Sequence, residues 1–258
     1  MLYQGIDIGS SSCCVVIING KKEIVSSSVV PTGARNFEAL KRATREVFEN
    51  AGISEKDIGH TVSTGYGRER VENRDKDISE IACHAKGISN YFPDTNLLID
   101  IGGQDSKAIR IQPGGKVVDF SMNDKCAAGT GRFLEAMARV LEVDIDQFET
   151  LDAGAEGSQS ISNMCTVFAE SEIVSLVAQG IEIKEITNAI NRSIATRTFS
   201  MTKRMTIGVH NLSVAMSGGV ARNGGVVRML ERLLKKKIAI PPEPDRIGAF
   251  GAALFAME

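Results

Sequence analysis

Two cysteines precede stretches with helical periodicity and could bind a soft metal. Cys126 lies in NDKCAAGTGR, residues 123–132, and Cys165 directly precedes TVFAESEIVSLVAQG. The free N–H groups and positive dipole end of a helix favour an anion and lower the pKa of a nearby thiol. The chain has no CxxC pair. Spacing alone favours two buried free cysteines, because unpaired cysteine is among the most buried residue types.

The helices that follow these cysteines are predicted from apolar periodicity. After Cys126, Thr130 is a plausible N-cap, flanked by Gly129 and Gly131. The apolar face of that helix comprises Phe133, Leu134, Met137, Ala138 and Leu141. In the helix after Cys165, one face comprises Val167, Phe168, Ser171, Val174, Val177 and Ala178, and Gly180 is placed to end it.

Three glycine turns follow strand-like segments and could approach a phosphate. They read DIGSSS from Asp7, DIGGQD from Asp100 and SGG from Ser217. Glycine lets backbone N–H groups come close to phosphate oxygens, and hydroxyl groups add donors. Carboxylates at strand ends suit a Mg²⁺ ion held mostly through water. No P-loop motif is present, and no GxGxxG follows a strand.

The first two turns belong to an internal repeat. Residues 2–30 and residues 97–121 each predict a strand ending in DIG, a small polar turn, a second strand, a tight turn and a third strand. The first tight turn is Asn19-Gly20, a strong type I′ hairpin signal. Because repeats fix architecture, the two copies predict two similar α/β lobes. We expect residues 1–95 and 96–245 to form them, with helix 246–258 returning to the first.

Elements outside the repeats follow from local patterns. Helices are predicted from Asn36 to Gly52, over 77–92, over 182–206, from the end of the SGGVARNGG segment through Leu234, and after residue 246. Short strands are predicted at 60–63, 212–216 and 238–240. The helix over 77–92 carries Cys83 and His84, which we interpret as one core and one surface residue. Cys13 and Cys14 lie on a strand and are interpreted as core.

Composition narrows the function classes. The chain has 258 residues, 30 basic against 32 acidic, so no basic footprint for nucleic acid is visible. No run of about eighteen apolar residues exists, and no signal peptide is apparent, so we expect no membrane span. Five cysteines without a secretion signal favour a reducing compartment. The expected localisation is cytoplasmic.

Four motifs together resemble one family. TGYGR from Thr64, the DIGGQD turn, NDKCAAGTGRFL from Asn123 and MCTVFAESE from Met164 are similar to motifs of the activators of 2-hydroxyacyl-CoA dehydratases. The same family includes the ATPase subunits of benzoyl-CoA reductase and the reductases of double-cubane cluster proteins. The DIG hairpins and the SGG turn resemble the phosphate and adenosine motifs of the wider acetate/sugar kinase–Hsp70–actin superfamily.

The resemblance implies an α/β fold of two duplicated RNase H-like lobes, as in the actin/Hsp70/sugar-kinase ATPases. It implies a homodimer that holds one [4Fe–4S] cluster between subunits, with Cys126 and Cys165 as the ligands from each chain. A cluster of this kind takes four thiolates, which a twofold axis supplies from two per chain. The implied activity is ATP-dependent one-electron donation to an iron–sulfur acceptor enzyme, with ferredoxin or flavodoxin as the donor.

The resemblance also implies roles at the nucleotide. Asp7 and Asp100 would organise Mg²⁺ and the attacking water, and Gln104 and Asp105 are candidates for positioning that water. Contacts to ATP or ADP would come from Ser10, Ser11, Ser12, Gly102, Gly103, Gly218, Gly219, Ala221 and Asn223. The first turn reads SSSCC, without a lysine, so no lysine–phosphate contact carries over to it.

Three alternatives stay open. The first is a reductase of a double-cubane cluster protein. The second is a small-molecule kinase on the same fold, which would need a catalytic carboxylate facing a substrate cleft and would have no use for paired cysteines. The third is an ATP-gated structural module. Only an iron–sulfur protein would be brown when purified without oxygen.

Overall fold

A computed structural model describes residues 1–161 and 165–258, and the chain divides into two compact units. The first comprises Met1–Thr95, Ile111–Val118 and Pro241–Glu258, and the second Asn96–Arg110 and Asp119–Ile240. The lobe boundaries expected from the sequence stay a prediction.

The first unit is built on a mixed sheet flanked by three helices. Its strands are β1 (Leu2–Ile8), β2 (Ser12–Asn19), β3 (Ile24–Pro31), β4 (Ile58–Thr64) and β5 (Lys76–Asp77). Its helices are α1 (Asn36–Ala51), α2 (Glu80–Tyr91) and, from the end of the chain, α8 (Ile247–Ala256).

The second sheet has the same number of strands and more helices around it. Its strands are β6 (Leu97–Ile101), β7 (Ser106–Gln112), β8 (Lys116–Asn123), β9 (Val214–Ser217) and β10 (Ile238–Ala239). The helices are α3 (Gly131–Leu141), α4 (Phe148–Leu151), α5 (Thr166–Ala178), α6 (Ile183–Met205) and α7 (Gly224–Leu234). The tip of the β7–β8 hairpin, Ile111–Val118, belongs to the first unit.

The two sheets repeat one topology. The strand orders are β3-β2-β1-β4-β5 and β8-β7-β6-β9-β10. In both, the first strand of the repeat pairs antiparallel with the next strand and parallel with a later one. The registers also correspond, since Asp7 pairs with Cys14 and Asp100 pairs with Lys107. The predicted duplication is therefore confirmed at the level of strand order and register.

Apolar residues cover both faces of the first sheet and the helical side of the second. The core between the first sheet and α1 contains Ile6, Ile8, Val15, Ile17, Ala43 and Val47. The opposite face packs on α8 through Cys14, Val16, Ile18, Ala249 and Phe250. In the second unit, one large core joins β6 and β9 to α3, α5, α6 and α7. Buried apolar area of this kind is the main stabilising contribution to such a fold.

The turn between β2 and β3 differs from the predicted two-residue type I′ turn. β2 ends at Asn19 and β3 begins at Ile24, and Lys22 adopts a left-handed conformation with φ 66°. The side-chain oxygen of Asn19 accepts hydrogen bonds from the backbone N–H groups of Lys21 and Glu23. These local bonds stabilise a longer loop, as asparagine side chains often do in turns.

In the described part of the chain, none of the helices is long and apolar enough to cross a membrane.

Two glycines let α8 lie directly against the backbone of its neighbours. A Cβ atom on Gly5 of β1 would overlap the carbonyl oxygen of Ala249, and one on Gly251 of α8 would overlap the carbonyl oxygen of Cys83. The obstacles are backbone atoms, which cannot rotate away. The absence of side chains at these positions therefore sets how closely α8 packs on β1 and α2.

We predict that Gly251→Ala destabilises the protein by about 3 kcal/mol, because overpacking against the backbone outweighs the gain in helix propensity of about 1 kcal/mol. Urea unfolding measures the change. Gly20→Ala is the matched control, since no atom lies within 4 Å of its Cβ position; it should stay within about 0.5 kcal/mol of wild type. Equal stability of the two variants would contradict the packing argument.

Candidate functional site

The acidic residue at the end of β6 forms a buried ion pair. Asp100 and Lys107 are each 2% exposed, and the ammonium nitrogen of Lys107 lies 3.1 Å from Oδ2 of Asp100. The hydroxyl of Ser217, at the end of β9, donates to Oδ1 of Asp100 at 2.7 Å. A charge this deeply buried is tolerated because it is paired and hydrogen-bonded. Asp100 therefore ties together the ends of β6, β7 and β9.

The same lysine shapes the glycine turn that follows. Its ammonium group also donates to Oδ1 of Asp105 at 2.8 Å, and the N–H of Gly102 donates to the Asp105 carbonyl at 3.0 Å. Gln104, at the tip, is exposed. Lys107 was not among the residues predicted from the sequence, although its spacing of seven from Asp100 was available. It is the cross-strand partner of Asp100 and holds both carboxylates of the turn.

The third glycine turn approaches Asp100 from β9. Gly218 has φ 85°, and a Cβ there would overlap the carbonyl oxygen of Ile101, whereas Gly219 faces open space. Ala221 is buried. The side chain of Asn223 caps α7 by accepting from the N–H groups of residues 225 and 226. Its amide nitrogen donates to Asn191, so Asn223 has a structural role besides the predicted nucleoside contact.

The DIGGQD turn is hydrogen-bonded to the start of α3. The N–H groups of Gly131 and Arg132 donate to the carbonyls of Gly102 and Gly103 at 2.9 and 2.8 Å. A Cβ on Gly131 would lie 3.2 Å from the Gly102 carbonyl oxygen, which is tighter than ordinary contact. Two of the helix N–H groups expected to be free are thus occupied by the turn. The candidate phosphate turn and the segment after Cys126 form one connected structure.

Cys126 lies in the loop before α3, and the local hydrogen bonds differ from the expected cap. Thr130 is the N-cap residue, but its hydroxyl donates to the carbonyl of Ala127 at 2.6 Å and accepts no helix N–H. The carbonyl of Cys126 accepts from the Asn123 side chain at 3.0 Å. Phe133 and Leu134, with the rest of the predicted apolar face of α3, are buried as expected.

Cys165 is the N-cap residue of α5, and the predicted apolar face of that helix is largely exposed. Val167 is 66% exposed and Phe168 60%, and Val174 and Val177 are exposed as well. The buried face instead contains Ala169 and Ile173. The helix is apolar on two sides, so periodicity alone could not identify the side that faces the core. Residues 162–164, which include Met164 of the MCTVFAESE motif, lie outside the described residues.

A loop ahead of Cys165 is anchored on α6. The carboxylate of Glu185 accepts from the N–H groups of Glu156, Gly157 and Ser158 and from the Ser158 hydroxyl. The N–H of Glu156 contributes most to lowering the pKa of Glu185, because hydrogen bonds favour its charged form. Arg192 donates to the carbonyls of Gly157 and Gln159. These contacts anchor residues 156–159, a few residues before Cys165, the second candidate metal ligand.

The five cysteines fall into two classes. Cys126 and Cys165 are half-buried, whereas Cys13, Cys14 and Cys83 are buried. Burial raises the pKa of Cys13 and of Cys83 to about 12, so both are protonated and unreactive at neutral pH. The interpretation of Cys13 and Cys14 as core is confirmed. Among residues 1–161 and 165–258, no group of three or more His, Cys, Asp or Glu side chains is placed to hold a metal ion.

The first unit carries the other acidic turn, after β1. The N–H of Gly9 donates to the Ser12 carbonyl at 2.9 Å, and the Ser11 carbonyl accepts from the N–H of Thr32 at 2.9 Å. The Ser11 hydroxyl is buried without a hydrogen-bond partner, which a phosphate oxygen could supply. Ser10 and Ser12 are half-buried. A backbone hydrogen bond therefore closes the turn, and the Ser11 hydroxyl is available to a ligand.

The TGYGR motif packs on the end of β1. Gly65 has φ 83°, and a Cβ there would overlap a carboxylate oxygen of Asp7. The N–H of Gly67 donates to the carbonyl of Ile8 at 2.9 Å. Tyr66 points into solvent, 82% exposed. His84 is buried, which corrects its interpretation as a surface residue.

The structure thus gathers Asp100, Asp105, Gly102 and Gly103 around Lys107 in the second unit and places Asp7 beside the serine turn in the first. The roles expected of these residues at a nucleotide stay predictions. A duplicated α/β fold with a carboxylate and a small-residue turn at the end of each first strand is the arrangement of the actin/Hsp70/sugar-kinase fold class.

The chain belongs to the BadF/BadG/BcrA/BcrD ATPase family, which matches residues 4–256. The resemblance noted from the sequence motifs is confirmed.

Two proteins with high sequence identity are similar to the chain over all of its 258 residues. The activator of lactoyl-CoA dehydratase from Anaerotignum propionicum is 47% identical over 258 residues, 100% of this chain and 98% of the relative. The solved activator of 2-hydroxyisocaproyl-CoA dehydratase from Clostridium difficile, with bound ADPNP, is 42% identical with a TM-score of 0.92; the match covers 100% of this chain and 94% of that one.

A sugar kinase shares the fold alone. The ROK family glucokinase from Streptomyces griseus superposes with a TM-score of 0.62 at 13% identity, over 99% of both chains. The fold class expected from the sequence is confirmed.

We predict that Lys107→Met destabilises the protein by about 3–5 kcal/mol, because it leaves the Asp100 carboxylate buried without its cation. Chemical unfolding measures the loss. The control is Lys237→Met, which removes an exposed lysine paired with Glu231 at 2.9 Å and should cost less than about 1 kcal/mol. The double variant Lys107→Met, Asp100→Asn should recover part of the loss. A cost for Lys107→Met no larger than the control would show that the ion pair is unimportant.

Proposed function

We propose that the protein is an ATP-dependent one-electron donor that activates a 2-hydroxyacyl-CoA dehydratase. The observation that carries the proposal is the exposure pattern of the cysteines, in a chain related over its whole length to such activators. Of five cysteines, Cys126 and Cys165 alone reach the surface. They are also the two that precede α3 and α5, as the resemblance requires.

The two thiols fit one half of an iron–sulfur site. A [4Fe–4S] cluster takes four thiolates, and one chain offers two that are accessible, so two chains related by a twofold axis would complete the set. When bound, the cluster would accept and donate one electron at low potential. The chain's own contribution is to present Cys126 from the loop before α3 and Cys165 from the first residue before α5.

The exposed apolar face of α5 supports a homodimer whose interface includes this helix. Val167 and Phe168 lie directly after Cys165, and Val174 and Val177 continue the apolar surface along the helix. Exposed apolar patches of this kind mark interaction surfaces in proteins. A second copy that covers this face would bring its own Cys165 to the same seam and would exclude water from the thiolates.

The nucleotide turns have complementary tasks in this proposal. Asp7 would hold the water shell of Mg²⁺, whereas Asp100, already paired with Lys107, would help to orient the attacking water with Gln104 and Asp105. Phosphate contacts would come from the hydroxyls and N–H groups of the turns, with the nucleoside beside the third turn. The residues proposed for ATP and ADP contacts are Ser10, Ser11, Ser12, Gly102, Gly103, Gly218, Gly219, Ala221 and Asn223.

The hydrogen bonds between the DIGGQD turn and α3 offer a physical route for coupling. A phosphate that shifts Gly102 or Gly103 also shifts the acceptors of the Gly131 and Arg132 N–H groups. The nucleotide then changes how the segment after Cys126 is held, provided ATP and ADP differ in their free energy of interaction with the turn. In this proposal the nucleotide state sets the exposure of the cluster to the acceptor enzyme.

The proposed partners are a second copy of this chain, an iron–sulfur dehydratase as acceptor, and ferredoxin or flavodoxin as electron donor. A double-cubane cluster protein is the alternative acceptor. A small-molecule kinase is less well supported, because the similarity to sugar kinases extends to the fold alone.

We predict about two iron and two sulfide per chain in protein purified without oxygen, because two chains share one cluster. Cys126→Ala and Cys165→Ala should each abolish iron binding and leave ATP binding unchanged. Metal analysis and equilibrium binding of an ATP analogue provide the measurements.

Cys83→Ala is the matched control for the iron prediction, since Cys83 is buried and should be dispensable for iron. Four iron per chain would contradict the shared cluster. Loss of iron from folded Cys83→Ala would contradict the assignment of the ligands.

We predict that Gly131→Ala weakens the coupling between nucleotide and cluster, because the added methyl group pushes against Gly102. Chelation of cluster iron is followed without nucleotide, with ADP and with a non-hydrolysable ATP analogue. The wild-type rates should differ by about fivefold or more between nucleotide states. Gly131→Ala should narrow that range while binding the analogue normally.

Gly20→Ala, in open space beyond the end of β2 that is opposite the serine turn, should keep the wild-type range of chelation rates. Equal rates in all three nucleotide conditions for the wild-type protein would end the coupling hypothesis, and the nucleotide would then act in docking the partner.

A further inference from the structure

The carboxylate of Asp7 is enclosed by two glycines. A Cβ on Gly65, which follows β4, would overlap Oδ1 of Asp7, and a Cβ on Gly248, in the first turn of α8, would overlap Oδ2. The carboxylate therefore occupies space that any larger residue at either position would need. Its place at the end of β1 is fixed by backbone on both sides.

His84 of α2 reaches the same point. Its Nε2 atom lies 2.8 Å from the position that a Cβ on Gly248 would take, the same position that Oδ2 of Asp7 overlaps. The imidazole is 7% exposed. A ring nitrogen and a carboxylate oxygen thus lie 2.8 and 2.2 Å from the same point, the Cβ position of Gly248. Imidazole Nε2 can donate a hydrogen bond, and a bond to an ionised carboxylate is among the stronger ones in proteins.

The duplication allows the surroundings of Asp7 to be compared with those of Asp100. In the second sheet, the cross-strand neighbour of Asp100 is Lys107, whose ammonium pairs with the carboxylate. The equivalent neighbour of Asp7 is Cys14. Burial raises the pKa of the Cys14 thiol well above its usual value, so that side chain is neutral. The cross-strand position that holds the cationic Lys107 in the second unit therefore holds a neutral side chain in the first. In the first unit, the basic side chain of His84 lies beside the Asp7 carboxylate at the Cβ position of Gly248.

We propose that His84 is a positioning residue for Asp7: its Nε2–H donates to Oδ2 and holds the carboxylate in one orientation for its work at the phosphates. The proposal rests on the role proposed for Asp7 above. It adds a residue from α2 that touches no nucleotide in this scheme and acts through the carboxylate. From the sequence, His84 and its neighbour Cys83 are interpreted only as one core and one surface residue of a helix.

A first test needs no enzymatic turnover. The chain has three histidines, so ¹⁵N-histidine labelling of the full-length protein gives a small set of ring signals. His84 should carry a proton on Nε2, with that proton protected from exchange, and Asp7→Asn should change its signal. A ring with its proton on Nδ1 alone would overturn the proposal.

The second test measures ATP hydrolysis by the full chain. His84→Leu keeps the volume and removes the donor, and should lower kcat by about tenfold or more while KM for ATP changes by less than about threefold. His84→Gln, whose amide can donate from a similar place, should restore most of the rate. Equal loss in both variants, or no loss in His84→Leu, would overturn the proposal. Should His84→Leu not fold, His84→Asn, whose shorter amide cannot reach as far, replaces it.

A double variant separates this inference from the assignment of Asp7. In an Asp7→Asn background, His84→Leu should cause no further loss, because the two residues act as one unit. A full additional loss would overturn the positioning role. An unchanged rate in Asp7→Asn alone would instead refute the proposed role of Asp7, and the inference would fall with it. Failure of electron transfer with intact ATP hydrolysis would refute the proposed function but would not affect the positioning role proposed for His84.

Discussion

One buried ion pair organises the second unit around its candidate site. Lys107 and Asp100 are cut off from water, so each must be compensated by the other and by neighbouring hydrogen bonds. That requirement draws Ser217 and Asp105 to the same point. The turn between them can then offer its carbonyls to α3. The position of the loop that carries Cys126 thus follows from how two opposite charges are accommodated in the interior.

The first unit gives the corresponding acid, the half-buried Asp7, different surroundings. Its sheet has the strand order and register of the second, yet Cys14 stands where Lys107 does, and the acid at the strand end meets a helix start and an imidazole. Duplicated folds keep the backbone plan more strictly than the side chains. Two aspartates with the same sequence context therefore differ in electrostatic surroundings.

Much of the fold could be predicted from sequence because its signals are local. The repeated DIG hairpins gave the duplication, and the periodicity of α3 gave its buried face. Where the prediction was wrong, a longer-range or competing interaction decided. The Asn19 side chain stabilised a longer loop than Asn19-Gly20 usually forms, and α5 has apolar residues on two sides. Lys107 and His84 were missed because a lysine on a strand and a histidine on a helix are most often surface residues, and only tertiary contacts reveal that both are buried.

The burial of three cysteines has a consequence for how the chain withstands oxidants. An oxidant that reaches the folded protein meets Cys126 and Cys165, while Cys13, Cys14 and Cys83 are enclosed and the thiols of Cys13 and Cys83 are held in their protonated form. Sulfenic acids and mixed disulfides form from accessible thiolates. Oxidation of cysteines in the folded chain is therefore confined to two thiols that a mild reductant can also reach. Sulfenic acids and mixed disulfides at these two cysteines can be reduced without unfolding of the chain.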